Sequence, residues 1–470
     1  MIYYIIISFI ICFIIIFFLN KKKDSDYIKI YENKTNNKIE FKDIIGLDNA
    51  KKEIQEIVYY LNNNKNYNKL GGKIPLGILL EGPPGTGKTI LAKAIAQEIN
   101  IPFLYVSGSS FVEIYIGIGA YRIRELFKKA KEISPAIIFI DEIDAIGKKR
   151  VNLHTSSDEI ENTLNQLLIE MDGFENKTNI IVIGATNRSN ILDKALLRPG
   201  RFDKRIVINL PNKKDRKKIL KYYLNKMKII ENINFNQLSN LTIGLSPAEI
   251  FNICNDAALI ALRQKQNKID NNNLYEAIDR FLFGFESKIS FSNKELKRIA
   301  YHEIGHVLVN YILKNNKLIK VTINSREKLC GYTFLLQKEK YYNLLNYFKN
   351  NICVILGGRA SEYLIYNNYS TGAIDDLNKC TKLAYNLIAK YGYKTNISYY
   401  NFNPYKDKPP YSQQTAYKID KKINRLISLE FIRSKQIILK NIKILHLLSK
   451  ELLKYKVLFK KDIDNIIKNG

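Results

Sequence analysis

The segment GPPGTGKT, at residues 82–89, constrains the fold of this chain more than any other stretch. It follows an apolar run, Gly77–Leu80, and opens a helical stretch, Ile90–Asn100. Glycines between a strand and a helix let backbone N–H groups curl around phosphates at the helix N-terminus. The sequence therefore predicts a nucleotide site on a parallel α/β sheet. The predicted phosphate-binding residues are Gly82, Pro83, Pro84, Gly85, Thr86, Gly87, Lys88 and Thr89.

Two acids follow another apolar run, Ala136–Ile140, and add a magnesium site. We expect Lys88 to reach the β- and γ-phosphates and the Thr89 hydroxyl to bind Mg²⁺. Asp141 is placed to hold Mg²⁺ through water, and Glu142 to polarise the attacking water. Two acids after a strand are ordinary loop residues when taken alone. Downstream of a phosphate loop, they indicate ATP hydrolysis.

Later polar residues supply the remaining parts of an ATPase. The apolar run Ile180–Ala185 leads to Asn187, which is placed to position water beside the γ-phosphate. The next turn carries Arg198 and Arg201. Two arginines on a turn are equally compatible with a solvated surface. In a ring of ATPases, however, this turn reaches the neighbouring subunit's γ-phosphate and stabilises transition-state charge.

The motif His-Glu-x-x-His in the helical stretch Glu295–Leu313 indicates a second chemistry. Its i, i+4 spacing puts His302 and His306 on one helix face, where they can share Zn²⁺, and Glu303 can act as a general base toward water. Catalytic zinc needs three protein ligands, and the third is expected to be a carboxylate. Spacing alone leaves three candidates for it: Glu362, Asp375 and Asp376.

The N-terminal segment Ile2–Leu19 carries no charge, and Lys21, Lys22 and Lys23 follow it. A helix over these 18 residues spans roughly 27 Å, enough to cross a hydrocarbon core. The segment lacks the flanks of a cleavable signal peptide, so we predict one transmembrane helix. The positive-inside rule then places the rest of the chain on the cytoplasmic or stromal side of a bacterial inner membrane or a membrane of the organelle, such as a plastid, that encodes it.

The net charge of +29 raises the question of a polyanionic partner. A hydrophobic fraction of 46% excludes a disordered chain, and five scattered cysteines exclude a disulfide framework or a cysteine-based zinc site. The basic residues are spread along the chain without a localised basic–aromatic motif. We therefore expect a lipid bilayer, and no nucleic acid, as the partner of this charge.

Changes in hydrophobic periodicity divide the chain into segments. A capping box opens a helix within residues 211–285, with Ser246 at the N-cap, Pro247 at N1 and Glu249 at N3. The predicted segments are a transmembrane anchor, 1–20; a linker, 21–40; an α/β ATPase core, 41–210; a helical lid, 211–285; and a helical zinc peptidase domain, 286–470.

This ordered set of motifs resembles the FtsH family of membrane-anchored AAA+ zinc metalloproteases, from about Phe41 to the C-terminus. The resemblance implies an α/β P-loop NTPase core of the AAA+ type with a helical lid, then a mainly α zinc metalloprotease domain, with one N-terminal transmembrane helix here. It implies an ATP-dependent endopeptidase that uses Zn²⁺, ATP and Mg²⁺ to unfold, translocate and degrade membrane and soluble proteins. Further matching stretches are LNQLLIEMDGF (164–174), LLRPGRFD (196–203), GGRASE (357–362), STGAIDDL (370–377) and TAYKID (415–420).

The resemblance also implies roles that spacing does not reveal. It identifies Asp376 as the third zinc ligand and Glu362 as a supporting residue. It implies a homohexameric ring in which a substrate-translocating loop, here Tyr115, Ile116 and Gly117, pulls unfolded chains toward the zinc.

The chain departs from the family pattern in places. Typical members have two transmembrane helices around a small domain, whereas one is predicted here, and Ile304 replaces the usual Ala of the zinc helix. An alternative is therefore an AAA+ unfoldase or membrane-protein remodeller with impaired or lost proteolysis. Retention of the complete set of implied peptidase residues argues against it: His302, Glu303, His306 and Asp376.

Overall fold

A computed structural model describes most of the chain. The predicted anchor, 1–20, and the loop residues Tyr115 and Ile116 lie outside the described residues. Among the residues that are described, no helix is long and apolar enough to cross a bilayer. The chain divides into two compact units, Met1–Leu274 and Tyr275–Gly470. The described residues are 28–31, 41, 43–62, 77–99, 101–113, 117–148, 156–173, 180–230, 232–287, 291–327, 329–336, 342–393 and 411–469.

The first unit is built on a six-stranded sheet in the order β1-β3-β4-β5-β2-β6. Strand β1 pairs antiparallel at one edge, and the other pairings are parallel. The three apolar runs Gly77–Leu80, Ala136–Ile140 and Ile180–Ala185 are strands, and each extends one residue further. The strands are β1 (Lys29–Tyr31), β2 (Gly77–Glu81), β3 (Phe103–Ser107), β4 (Ala136–Asp141), β5 (Ile180–Thr186) and β6 (Lys204–Val207).

Strand β1 lies inside the segment predicted as a linker, 21–40. The residue before it, Ile28, is buried in the core of the sheet. An edge strand pairs on one side only, so three residues suffice to form it. Such a short strand leaves almost no periodic signal in the sequence.

Helices cover both faces of the sheet. Alternate strand residues enter two cores: Leu79 and Ile138 belong to one, and Leu80 and Phe139 to the other. Burial on both faces explains why the parallel strands are uninterrupted apolar runs. The helices of this layer are α1 (Asp48–Asn62), α2 (Lys88–Ile99), α3 (Ile118–Glu132) and α4 (Ser156–Asp172).

Helical structure follows the sheet, as predicted for the lid. The Ser246–Glu249 capping box is confirmed: Glu249 N–H donates to Ser246 Oγ, and Ser246 N–H donates to Glu249 Oε2. The helices are α5 (Lys213–Asn225), α6 (Phe235–Leu241), α7 (Pro247–Arg263) and α8 (Asn271–Phe283), the last of which continues into the second unit.

The second unit is mainly helical and adds a three-stranded antiparallel sheet, β8-β7-β9, that the sequence did not predict. Helix α9 carries the His-Glu-x-x-His motif, and its Ile304 is fully buried in the core. The elements are α9 (Asn293–Leu313), β7 (Lys317–Thr322), β8 (Tyr332–Leu336), α10 (Leu345–Ile355), α11 (Gly357–Tyr366), α12 (Ile374–Tyr385), α13 (Gln413–Lys440), α14 (Ile442–Tyr455), β9 (Val457–Phe459) and α15 (Lys460–Asn469).

Candidate nucleotide and metal sites

The carboxyl ends of β2, β4 and β5 meet at one edge of the sheet, because β5 pairs in parallel with both of the others. The phosphate loop after β2, Asp141 and Glu142 at the end of β4, and Asn187 after β5 therefore converge at that edge. Gly85 and Gly87 have φ values of +73° and +97°, a left-handed conformation that glycine adopts without strain. A loop of this shape presents backbone N–H groups to an anion.

The two predicted magnesium ligands are already in contact. Thr89 Oγ1 donates to Asp141 Oδ2 at 2.8 Å. Lys88 Nζ donates to the backbone oxygens of Gly82 and Pro83, both at 2.8 Å. Burial lowers the pKa of Lys88, and the carboxylate of Asp141 opposes that shift. The ammonium thus lies against the phosphate loop, where a nucleotide phosphate would compete for its protons.

Glu142 has a left-handed backbone with φ of 50°, an uncommon conformation for a residue with a side chain. Its N–H donates to Asp141 Oδ1 at 3.0 Å, and the residue is exposed. Asn187 is also exposed at the end of the neighbouring strand. Strain of this kind is concentrated at functional sites, where it directs a side chain toward a ligand.

The lid helix α7 begins against the phosphate loop. Ala248 N–H donates to the backbone oxygen of Gly85 at 3.2 Å, and a Cβ on Gly85 would lie 2.8 Å from Ser246 Oγ. The capping box therefore fixes the helix end that contacts the loop. A change in the loop conformation would be transmitted directly to the lid.

The two predicted arginines have different surroundings. Arg201 pairs with Asp172 through two hydrogen bonds, Nε–Oδ1 at 2.8 Å and Nη2–Oδ2 at 2.7 Å. This pair lowers the pKa of Asp172 and raises that of Arg201. Arg198 is exposed. Of the two arginines, Arg198 is therefore the one that is exposed to solvent.

The arginine turn lies at the amino edge of the sheet. The backbone oxygen of Arg201 packs against Gly77, the first residue of β2, where a Cβ would collide with it. The length of β2 separates that point from the phosphate loop by roughly 13 Å. The turn is therefore at the opposite edge of the sheet from the nucleotide site of its own chain.

Of the predicted translocation tripeptide, Gly117 lies within the described residues. It is the N-cap of α3 with φ of +86°, and its N–H donates to Glu159 Oε2 at 2.9 Å. Glu159 is 7% exposed on α4, and among the described residues its Oε1 has no hydrogen-bonding partner. A Cβ on Gly119 would collide with Thr163 of the same helix. The start of α3 is thus held closely against α4.

His302, His306 and Asp376 bring three ligand atoms together in the second unit. Asp376 Oδ2 lies 3.2 Å from His302 Nε2 and 3.1 Å from His306 Nε2, and the two nitrogens are 3.1 Å apart. Tetrahedral zinc with bonds of about 2.0–2.1 Å separates its ligand atoms by about 3.3 Å. The neighbouring Asp375 is exposed and is not part of this group.

The other nitrogen of each imidazole has its own acceptor. His302 Nδ1 lies 2.7 Å from Glu362 Oε1, and His306 Nδ1 lies 2.9 Å from the backbone oxygen of Val354. Glu362 also accepts hydrogen bonds from the N–H and hydroxyl of Ser370. When each Nδ1 donates its proton to these acceptors, Nε2 is the nitrogen left to bind a metal together with Asp376. Glu362 therefore lies behind His302 and not among the converging ligand atoms.

A glycine leaves room for the metal. A Cβ on Gly358 would lie 2.5 Å from His302 Nε2 and 2.6 Å from His306 Nε2. Helices α9 and α11 approach closely at Gly305 and Gly357, where a Cβ on Gly357 would lie 2.6 Å from Gly305 O. The donor set and this open space both fit Zn²⁺.

The electrostatics of the group match a cation site. Burial opposes protonation of His302, but the carboxylates of Asp376 and Glu362 outweigh it and raise its pKa to about 10. Burial likewise opposes ionisation of Asp376, yet the two imidazoles hold the pKa of that carboxyl below its usual range. A half-buried carboxylate that stays ionised between two imidazoles is poised to bind a divalent cation.

Glu303 lies beside the ligands and is 7% exposed. Its Oε2 accepts a hydrogen bond from Thr333 Oγ1 of β8 at 2.7 Å. Glu159 and Thr333 lie in none of the sequence motifs, and Gly358 lies in the GGRASE stretch without a role assigned to it. Gly358 carried a signal in the Gly-Gly-Arg stretch, whereas the other two depend on helix and strand packing that no local pattern reveals.

Comparisons with known proteins match this arrangement. The ATPase family associated with various cellular activities matches residues 78–210, the AAA+ lid domain matches 232–276, and peptidase family M41 matches 289–466. The chain is 47% identical over 440 residues to the ATP-dependent zinc metalloprotease FtsH of Karelsulcia muelleri, which covers 92% of this chain and 71% of that protein. This chain belongs to the FtsH family.

Other FtsH proteins are similar over comparable lengths. The ATP-dependent zinc metalloprotease FtsH of Bacillus subtilis is 39% identical, covering 99% of this chain and 77% of that protein. The FtsH of Parabacteroides distasonis is 43% identical, covering 93% of this chain and 65% of that protein. The predicted family and enzyme class, an ATP-dependent zinc metalloprotease with Zn²⁺, ATP and Mg²⁺ as cofactors, are confirmed. An FtsH-type unfoldase that has lost proteolysis is not favoured.

Proposed function

We propose that this FtsH-family chain is one subunit of a membrane-anchored homohexamer that unfolds proteins, threads them through its ring and cleaves them. The observation that carries the proposal is the convergence of Asp376 Oδ2 with the Nε2 atoms of His302 and His306 at 3.1–3.2 Å, in a chain that also bears a complete phosphate loop. The proposed segments are an anchor, 1–20; a linker, 21–40, whose residues 29–31 join the sheet; an ATPase core, 41–210; a lid, 211–285; and a peptidase domain, 286–470.

The proposed ATPase cycle uses the carboxyl edge of the sheet. Thr89 and Asp141 hold Mg²⁺, Lys88 binds the β- and γ-phosphates, Glu142 polarises water and Asn187 positions it. The arginine turn acts on the next subunit. Support for this comes from the roughly 13 Å of strand between that turn and the chain's own phosphate loop, which exceeds the reach of an arginine side chain. Arg198 and Arg201 therefore require a ring to take part.

Translocation is assigned to Tyr115, Ile116 and Gly117. The buried carboxylate of Glu159 supports this role, since it holds the N–H of Gly117 at 2.9 Å. A pulling loop must be attached to a rigid element for a stroke to be transmitted. Helix α4, which carries Glu159, is proposed to be that element.

Proteolysis is assigned to the second unit. A Zn²⁺ held by the two histidines and Asp376 would polarise the peptide carbonyl and stabilise the oxyanion that forms. Glu303 takes the proton from the attacking water and delivers it to the leaving amine. Glu362 and the Val354 carbonyl keep the imidazoles oriented through their Nδ1 atoms.

The membrane assignment rests on the uncharged segment Ile2–Leu19 and on the lysines after it. We propose a single-pass protein with its catalytic units on the cytoplasmic or stromal side of a bacterial inner or plastid membrane. Its substrates are unfolded and membrane proteins, and the bilayer, not nucleic acid, is the partner of its basic charge.

The test uses the full chain in detergent with a labelled unfolded protein, ATP, Mg²⁺ and Zn²⁺. Cleavage should require ATP, stop with a zinc chelator, and be lost in Glu303→Gln and Asp376→Asn. Asp375→Asn, which changes the adjacent exposed acid, is the matched control and should cleave normally. Normal cleavage by Glu303→Gln, or equal loss in both aspartate variants, would contradict the assigned roles.

A further inference from the structure

Strand β8 passes beside the proposed general base. Thr333 of β8 and Gly331, the residue immediately before the strand, both lie beside Glu303. A Cβ on Gly331 would lie 3.3 Å from Glu303 Cγ, and Thr333 Oγ1 lies 2.7 Å from Glu303 Oε2. On the other face of the strand, Tyr332 stacks on Phe283 with ring centroids 4.0 Å apart. The strand is therefore held from both sides.

The Thr333 hydroxyl has one proton and two nearby acceptors. Glu303 Oε2 lies at 2.7 Å and the Glu303 backbone oxygen at 3.2 Å. The carboxylate contact is shorter and charge-assisted, so it is the stronger of the two. The backbone oxygen lies inside α9, where the helix ladder supplies it with a donor. The hydroxyl proton therefore goes to the carboxylate.

We infer that Thr333 is a positioning residue for Glu303, an inference that rests on the proposed role of Glu303 as the general base. A glutamate side chain has several rotatable bonds, and a base acts efficiently only when its oxygen stays within reach of the proton it takes. The hydrogen bond from Thr333 fixes Oε2. Oε1 is left as the oxygen that exchanges the proton.

Two substitutions separate positioning from packing. Thr333→Val keeps the β-branched shape that suits a strand but removes the hydroxyl. Thr333→Ser removes the methyl group and keeps the hydroxyl. Thr322→Val is a matched control on the neighbouring strand β7, because the Thr322 hydroxyl donates to Lys456 O and not to Glu303. A structural role for Thr333 would make the valine variant the milder one.

The measurement is kcat and KM for a short unstructured labelled peptide, with ATP hydrolysis and zinc affinity measured on the same full-chain preparations. We expect Thr333→Val to lower kcat about 10-fold or more, with KM, zinc affinity and ATP hydrolysis within about two-fold of wild type. Thr333→Ser should restore most of kcat, and Thr322→Val should not lower it.

Three results would overturn the inference: a wild-type kcat in Thr333→Val, equal slowing in Thr333→Ser, or parallel losses of kcat, zinc affinity and ATP hydrolysis. Glu303→Gln separates this failure from failure of the proposed function. If Glu303→Gln still cleaves, the general base is wrong. If Glu303→Gln is inactive and Thr333→Val is normal, only the positioning role is wrong.

Discussion

Replacing Gly358 by Ala tests whether the space beside the two imidazoles belongs to a metal. The added Cβ would lie 2.5 Å from His302 Nε2 and 2.6 Å from His306 Nε2. Gly358 lies in α11 without a left-handed backbone, so alanine is acceptable to the helix and favoured over glycine by about 1 kcal/mol. The substitution therefore acts on the ligands and not on the helix.

The size of the effect follows from the geometry. Side-chain Cβ atoms essentially never approach other atoms within 3.0 Å, so the nitrogens at 2.5 and 2.6 Å must retreat by 0.5 and 0.4 Å. Zinc–ligand distances tolerate only about ±0.2 Å. The contact between Gly305 and Gly357 prevents the two helices from sliding to absorb the change. We expect zinc affinity to fall by about 10–100-fold, or about 1.4–2.8 kcal/mol.

The assay is competition with a chromophoric chelator on metal-stripped full chain, with ATP hydrolysis and thermal unfolding of the metal-free protein as checks on folding. Gly372→Ala is the matched control, because a Cβ there meets nothing closer than Ser370 Oγ at 3.4 Å. Gly358→Ala should lose zinc affinity alone, and Gly372→Ala should keep it. Wild-type zinc affinity in Gly358→Ala would refute the reasoning that this glycine makes room for the metal.

Three further predictions concern other parts of the chain. Arg198→Ala and Arg201→Ala should both abolish ATP hydrolysis, measured as phosphate release. Arg201→Ala alone should also lower the free energy of unfolding, by about 1 kcal/mol, because it loses the pair with Asp172. Equal free energies of unfolding for the two variants, measured by calorimetry, would contradict the difference in their surroundings. Glu159→Gln should slow degradation of folded substrates far more than cleavage of short peptides, measured as the ratio of the two rates; an unchanged ratio would count against the anchoring of the translocation loop. Among the described cysteines, Cys330 is exposed and should be alkylated first at pH 8, as measured by mass spectrometry. Burial raises the pKa of the other thiols to about 12, and a thiol whose pKa lies well above the solution pH is mostly protonated and unreactive. Early labelling of any of these buried thiols would contradict the prediction. The slow thiols are Cys254, Cys353 and Cys380.

The parallel sheet could be predicted because its strands are buried on both faces and therefore read as apolar runs between glycines and polar residues. The sheet β8-β7-β9 was missed for the opposite reason. Strand β9 has three residues, β7 shows no regular alternation of buried and exposed positions, and β8 has only five residues. Such short strands form only because strands distant in the chain pair with them, and no local sequence pattern indicates that pairing.

The metal site shows the same limit at the level of single residues. The spacing of His302 and His306 is a property of one helix, so it predicts that their side chains share a face. Asp376 is 74 residues from His302, and its neighbour Asp375 has the same chemistry. Which acid faces the histidines depends on how α12 packs against the core of the unit, and the family resemblance, not the spacing, supplied that answer.

Both centres consist of a local motif and a partner brought to it by packing. In the nucleotide site, Thr89 belongs to the phosphate loop and Asp141 comes from another strand. In the peptidase site, Glu303 belongs to the zinc helix and Thr333 comes from a strand beside it. The motif identifies the chemistry, because each residue type in it has a fixed role. In the peptidase site the partner, Thr333, controls geometry alone, so its loss should slow cleavage while zinc binding persists. Substitutions at Thr333 therefore measure orientation separately from chemistry, which substitution of a motif residue does not do.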